Sequence, residues 1–213
     1  MSPRVRLIER GVDSLLDHEL VALVLGKCSP AGVDRSLHLM EDFGGLAGLI
    51  HRQRLPDPKH ADLTSVEAAC IAAVKAFVMR SHLEDLRARD ALSSPAAVRS
   101  YLRLAVGHLE HEVFMVVFLD AQNRVIGTEQ LFRGTLTQTS VYPREVVKRA
   151  LDRNAAAVVL AHNHPSGVAE PSVQDQALTR TISEALALVD VKVLDHFIVA
   201  PGAALSFAER GLI

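Results

Sequence analysis

The segment AHNHPSGVAEPSVQDQ occupies residues 161–176. An apolar run, AAAVVL, precedes it, and its valines and alanines read as a short buried strand. Side chains alternate sides along a strand, so His162 and His164 face the same way. Pro165, Ser166 and Gly167 then turn the chain out of the strand. A helix is predicted over SVQDQALTRTISEALALVD, with Leu178, Ile182, Leu186 and Val189 on one stripe. Ser172 sits at its N-cap, and Asp175 lies in its first turn, placed to face back toward the strand end. One strand-to-helix junction therefore carries two imidazoles and a carboxylate.

The flanking segments extend this pattern. AAVRSYLRLAVGHL reads as a helix, and EVFMVVFLD and RVIGTEQLF as strands joined by a turn at Gln122-Asn123. Tyr142-Pro143 opens a helix over PREVVKRALDR, with proline at a tolerated first-turn position. VKVLDHFIVA and a short ALSFAE close the chain. From residue 95 the predicted order is α, β, β, α, β, α, β, β, which makes an α/β domain with a mixed sheet. Residues 1–90 carry no good strand and read as a small all-α domain. Its predicted helices are DSLLDHELVALVLG, capped by Asp13 or Ser14 and ended by Gly26, and VDRSLHLMEDFGG, ended at Gly44-Gly45. HRQRLPDPKH is a predicted loop, and a long helical stretch capped by Thr64 or Ser65 follows it. The expected boundary falls near residue 90, giving domains 1–90 and 91–213.

The bulk composition excludes several classes. Of 213 residues, 49% are hydrophobic, which suffices for packed cores. No apolar run approaches the roughly 18 residues of a membrane span, so no membrane association is expected. The N-terminus shows no signal-peptide pattern. Cys28 and Cys70 lie far apart and make no disulfide framework, so a cytoplasmic protein is expected. The net charge of −2 lacks the basic excess of a dedicated nucleic-acid binder. Arg80, Arg87, Arg89, Arg99 and Arg103 alternate with acids and read as a solvated helix face.

Two histidines and one carboxylate form a three-ligand set for Zn²⁺, with a fourth position left for water. Such a metal lowers the pKa of its water toward about 7 and polarises a carbonyl oxygen. Simpler readings exist for each part. A lone H-x-H commonly ends a strand with its polar tips in solvent. S-x-x-D before an apolar-periodic run is nearly a capping box, which needs no metal. The joint pattern H-x-H-x7-S-x2-D favours the metal, and Ser172 can cap the helix while Asp175 ligates. Asn163, between the histidines, points away from them. His111-Glu112 does not continue as H-E-x-x-H, because position 115 is Met, so a zincin helix is excluded.

His162, His164, Ser172 and Asp175 match the signature of the JAMM (JAB/MPN+) metalloproteases. More narrowly, HNHPSG, FLDAQNRVIG, Gly134-Thr135, YPREVV, LDHFIV and FAERGLI resemble the RadC family. PRVRLIERGVDSLLDHELVALVLG and DFGGLAGL extend the resemblance over nearly the whole chain. It implies a JAB/MPN-like fold and a zinc site of His162, His164 and Asp175. It also implies Ser172 as a group that orients the water or holds the oxyanion, and an upstream glutamate as general base. Glu112 matches that position, with Glu110 as a rival and Glu145 read as a helix-dipole partner. Asp195-His196 is read as a buried pair or as support for the ligands. Arg144 is left between substrate carboxylate binding and pairing with an acid. RadC-like N-terminal halves resemble helix-hairpin-helix modules. Here no glycine occurs between Gly48 and Gly107, so the hairpin signature is missing, and the first motif ends as GKCSPAG.

The function implied is a zinc-dependent hydrolase, a peptidase or isopeptidase with a peptide or protein substrate. One alternative is a DNA-associated binding protein whose zinc is structural or vestigial, distinguished by a steep salt slope. Another is a zinc-dependent nuclease. Deamination is disfavoured, since neither cysteine supplies a P-C-x-x-C set. Substrate identity and oligomeric state are left open.

Overall fold

The computed structural model of the chain describes residues 1–51, 63–88, 91, 95–134 and 141–213. It divides into two compact units, Met1–Val78 and Met79–Ile213. The division falls earlier than residue 90 because Met79, Leu83 and Leu86 pack into the core of the second unit. The expected boundary, the loop after His51, Arg89 and Thr135 lie outside the described residues.

The first unit is built from α1 (Pro3–Arg10), a 3-10 turn (Val12–Ser14), α2 (Asp17–Val24), α3 (Pro30–Phe43), α4 (Leu46–His51) and the start of α5 (Ser65–Arg87). The helix expected to start at Asp13 or Ser14 instead begins at Asp17. The Ser14 hydroxyl donates back to the Gly11 carbonyl (2.7 Å), so it caps nothing downstream. The Glu19 carboxylate takes over by accepting the Leu16 N–H (3.0 Å) while pairing with Arg6. Helix α3 also starts earlier than expected, with Ser29 as cap and Pro30 at its first position. It stops at Gly44, whose φ of +73° suits glycine. Val21, Leu39, Phe43, Leu49 and Ile71 form the core.

A buried carboxylate sits beside that core. Glu67 is 1% exposed and accepts from Lys27 Nζ (2.8 Å), Arg35 Nη2 (3.2 Å) and the Thr64 N–H (2.8 Å). Thr64 Oγ1 returns the bond from the Glu67 N–H, completing a capping box on α5. Burial disfavours the charge, but the Arg35, Lys27 and Thr64 hydrogen bonds prevail and hold the pKa at about 2, against an ordinary 4.5. A depressed carboxylate contributes stability that is fully present above 4.5 and is lost as pH falls through about 2. Denaturant unfolding of wild type and Glu67→Gln across that window should show the wild-type advantage shrinking with acid. A constant difference would mean that ionised Glu67 does not stabilise the unit.

The second unit contains α6 (Pro95–Val106), β1 (Val113–Leu119), β2 (Val125–Arg133), α7 (Pro143–Asp152), β3 (Ala157–Asn163), α8 (Val173–Ala187), β4 (Lys192–Ala200) and β5 (Ala203–Ser206). This is the order expected from the sequence. The five strands form one mixed sheet in the order β2-β1-β3-β4-β5. β1 runs antiparallel to β2 and β3, β3 and β4 are parallel, and β5 returns antiparallel to β4. The hairpin between β1 and β2 turns at Asn123 (φ +56°), with Asp120 Oδ1 accepting the Gln122 and Arg124 N–H groups. The parallel pair needs a crossover, and α8 supplies it.

Helices cover both faces of the sheet. Odd positions such as Val113, Met115, Val159 and Ala161 pack toward Val98, Leu102 and Val106 of α6. Even positions such as Phe114, Val116, Val158 and Leu160 pack toward Val146 of α7 and Ile182 and Leu186 of α8. Two covered faces explain why β1 and β3 are apolar throughout rather than alternating. Among the described residues, no helix is long and apolar enough to cross a membrane.

Candidate metal centre

The parity that sends Val158 and Leu160 toward α8 sends His162 there too. The residue is 8% exposed, and its ring stacks against Phe114 of β1, with centroids 6.4 Å apart and an interplanar angle of 13°. His164 lies one residue past β3, and its N–H donates to the Val199 carbonyl of β4 (2.8 Å). The chain then reverses, with the Gly167 N–H bonded to the His164 carbonyl (3.1 Å) and Gly167 at φ +88°. This turn brings the Val168 carbonyl to 2.8 Å from His164 Nδ1.

Ser172 and Asp175 do form the capping box of α8. Ser172 Oγ accepts the Asp175 N–H (3.1 Å), and Asp175 Oδ2 accepts both the Ser172 N–H (2.7 Å) and its hydroxyl (2.6 Å). That leaves Asp175 Oδ1 aimed at His162 Nε2, 3.2 Å away. His164 Nε2 is 2.9 Å from His162 Nε2 and 3.6 Å from Asp175 Oδ2. One ligand atom from each of His162, His164 and Asp175 falls within 4.8 Å of the others. Among the described residues, this is the one cluster of three such groups. Burial raises the pKa of Asp175, but the hydrogen bond and charge of His162 and the Ser172 bonds outweigh it, and the carboxyl is held well below the ordinary range. Two imidazole nitrogens and one carboxylate oxygen gathered this closely are a donor set suited to a metal ion.

Behind the histidines lies His196 of β4, fully buried. Its Nε2 is 2.8 Å from His162 Nδ1, and its Nδ1 is 2.6 Å from Thr179 Oγ1 of α8. Burial holds His196 well below its ordinary pKa. Its neighbour Asp195 serves a different structure, accepting from Ser206 Oγ (2.5 Å) and the Ala208 N–H (2.9 Å). The sequence alone gives Thr179 no role. Its spacing is the available signal, since it follows Asp175 by one helical turn.

Asn163 turns to the opposite face, where it is 1% exposed. Its Oδ1 accepts the Val113 N–H (2.7 Å), and its Nδ2 donates to the Leu109 (3.1 Å) and His111 (3.0 Å) carbonyls. Those bonds hold the peptide groups on both sides of Glu112, whose own carbonyl accepts the Gly134 N–H (2.8 Å). Phe114 pairs with His162, so extending the antiparallel register places the half-buried Glu112 across from His164. Alternation then puts position 112 on the sheet face that carries His162. Glu110 is exposed and lies outside the paired stretch. Glu145, in the first turn of α7, pairs with Arg144 (3.5 Å), and the Arg144 guanidinium lies over the Tyr142 ring.

Comparison with known proteins identifies the family. Residues 92–212 match the family model described as the RadC-like JAB domain. The chain is 56% identical over 211 residues to a UPF0758 protein of Thiobacillus denitrificans, covering 98% of this chain and 94% of that one. A UPF0758 protein of Nitrosospira multiformis is 52% identical over 213 residues, covering 99% and 95%. One from Azotobacter vinelandii is 50% identical over 211 residues, covering 98% and 94%. With a family-model match over more than half of the chain and similarity along its whole length, the chain belongs to the RadC family, with a RadC-like JAB domain as its C-terminal part.

Proposed function

We propose that this protein is a zinc-dependent hydrolase of peptide or isopeptide bonds. The convergence of His162 Nε2, His164 Nε2 and an Asp175 carboxylate oxygen carries this reading. Those three residues would hold the ion, and a three-residue set leaves a coordination position open to water and substrate. When bound, zinc supplies Lewis acidity and brings the pKa of water toward about 7.

The chain's own residues account for the proton traffic. Glu112, held across from His164, accepts a proton from the attacking water. The water oxygen adds to the carbonyl carbon, the C–N bond breaks, and Glu112 returns the proton to the leaving amine. Ser172 has one hydroxyl proton, and at rest it points to Asp175 Oδ2. Turning that proton toward the substrate makes Ser172 the oxyanion donor. A cytoplasmic setting is part of the proposal, since the two free cysteines suit a reducing compartment.

The test uses full-length protein purified without metal-affinity resin and loaded with zinc. It is incubated with unstructured peptides and with lysine ε-linked isopeptides, and products are read by mass spectrometry. Cleavage that a chelator stops and added zinc restores is the expected result. Protein that holds zinc but cleaves neither class overturns the proposal.

A further inference from the structure

The contacts behind His162 form a chain in which each proton can be assigned. Thr179 Oγ1 lies 2.6 Å from the Asp175 carbonyl oxygen. A carbonyl only accepts, so a contact this short requires the Thr179 hydroxyl proton to point there. The hydroxyl has no second proton to give. Its 2.6 Å contact with His196 Nδ1 therefore requires the proton to sit on Nδ1. His196 is fully buried, where a charged imidazolium is disfavoured, so its Nε2 is bare and accepts. The 2.8 Å contact between His196 Nε2 and His162 Nδ1 then needs a proton on His162 Nδ1. His162 Nε2 is the ring nitrogen left to face His164 Nε2 (2.9 Å) and Asp175 Oδ1 (3.2 Å), where a bound metal ion would replace the proton those contacts share.

His164 reaches the same state by a separate route. Its Nδ1 faces the Val168 carbonyl at 2.8 Å, so Nδ1 carries a proton and Nε2 is the nitrogen turned inward. Both rings thus keep a proton on Nδ1 and turn Nε2 toward Asp175.

We propose that Thr179 and His196 are positioning residues that hold a proton on His162 Nδ1 and so reserve His162 Nε2 for the metal. This rests on the zinc reading given above. The partner on the outer nitrogen of a ligating histidine fixes its tautomer and ring orientation, and loss of such a partner weakens metal binding by about 10–100-fold. Without the Thr179 hydroxyl, nothing holds the proton on His196 Nδ1. A proton moved to His196 Nε2 would face His162 Nδ1 and put the His162 proton on Nε2, in the path of the ion.

The experiment combines two measurements on the full chain. Histidine ring tautomers of the zinc-free protein are read from two-bond ¹H–¹⁵N couplings. The Zn²⁺ dissociation constant is read by competition with a chromophoric chelator. Wild type is expected to show His162 in a form that carries a proton on Nδ1. Thr179→Val, which keeps the shape and removes the hydroxyl, is expected to bind Zn²⁺ about 10–100-fold more weakly and to lose that form. Thr179→Ser, which restores the hydroxyl, is expected to return both to wild type. Thr179→Val with wild-type affinity and tautomer overturns the proposal, as does Thr179→Ser behaving like Thr179→Val. Wild type decides without any variant, because a His162 with bare Nδ1 in the folded zinc-free protein overturns it even if Thr179→Val does not fold. Wild type that takes up no zinc but carries the proton on His162 Nδ1 would instead overturn the zinc reading alone.

Discussion

Elemental analysis of protein purified without chelator or metal resin should give about one zinc per wild-type chain, and almost none for the His162→Ala, His164→Ala double variant. Two of the three donor atoms disappear together, and Asp175 alone cannot hold the ion against water. Asp175 keeps its own structural role, because its bonds to Ser172 and the α8 N-terminus do not pass through the histidines. The cost to folding should be modest. Removing His162 leaves His196 Nε2 without its partner, a penalty of about 1–3 kcal/mol for one buried group. Circular dichroism should therefore report an intact mixed fold alongside the missing metal. A wild-type chain that neither carries nor takes up zinc would remove the basis of the hydrolase reading.

What the sequence reveals of this site follows from distance along the chain. The shared face of His162 and His164 is a consequence of strand alternation and needs only the neighbouring residues. The capping geometry of Ser172 and Asp175 is likewise local, fixed by three residues of one helix turn. The support around them is not local. His196 reaches His162 because β4 lies parallel to β3, and no property of LDHFIV alone specifies that neighbour. Thr179 is hidden for the same reason, since its helix spacing from Asp175 is visible but its contact with β4 is not. Asn163 is legible as a residue facing away from the histidines. Its hold on the peptides around Glu112 depends on the pairing of β1 with β3. The start of α2 misleads at sequence level because Ser14 is a better intrinsic cap than Leu16. The Glu19 carboxylate and its Arg6 partner overrule that preference.

Glu112→Gln should separate metal binding from turnover. Glutamine keeps the size of the side chain and loses the ability to take up and return a proton. Zinc content should stay at about one per chain, because Glu112 is not among the three clustered donors. Turnover should fall by about 10²–10⁴-fold, the usual contribution of a positioned general base. The backbone should not shift, since the bonds from Asn163 and Gly134 hold main-chain atoms that the substitution leaves alone. A fall in turnover with zinc retained is therefore attributable to the carboxylate itself. Loss of zinc in Glu112→Gln would make Glu112 a fourth ligand rather than a base. Full turnover would remove it from the mechanism, and Glu110→Gln would then be the decisive variant. Glu110 is the other carboxylate on the approach to β1, but it is exposed and no Asn163 bond brackets it on both sides. A base must hold its proton acceptor at one place through the reaction, and that requirement favours the clamped position over the free one.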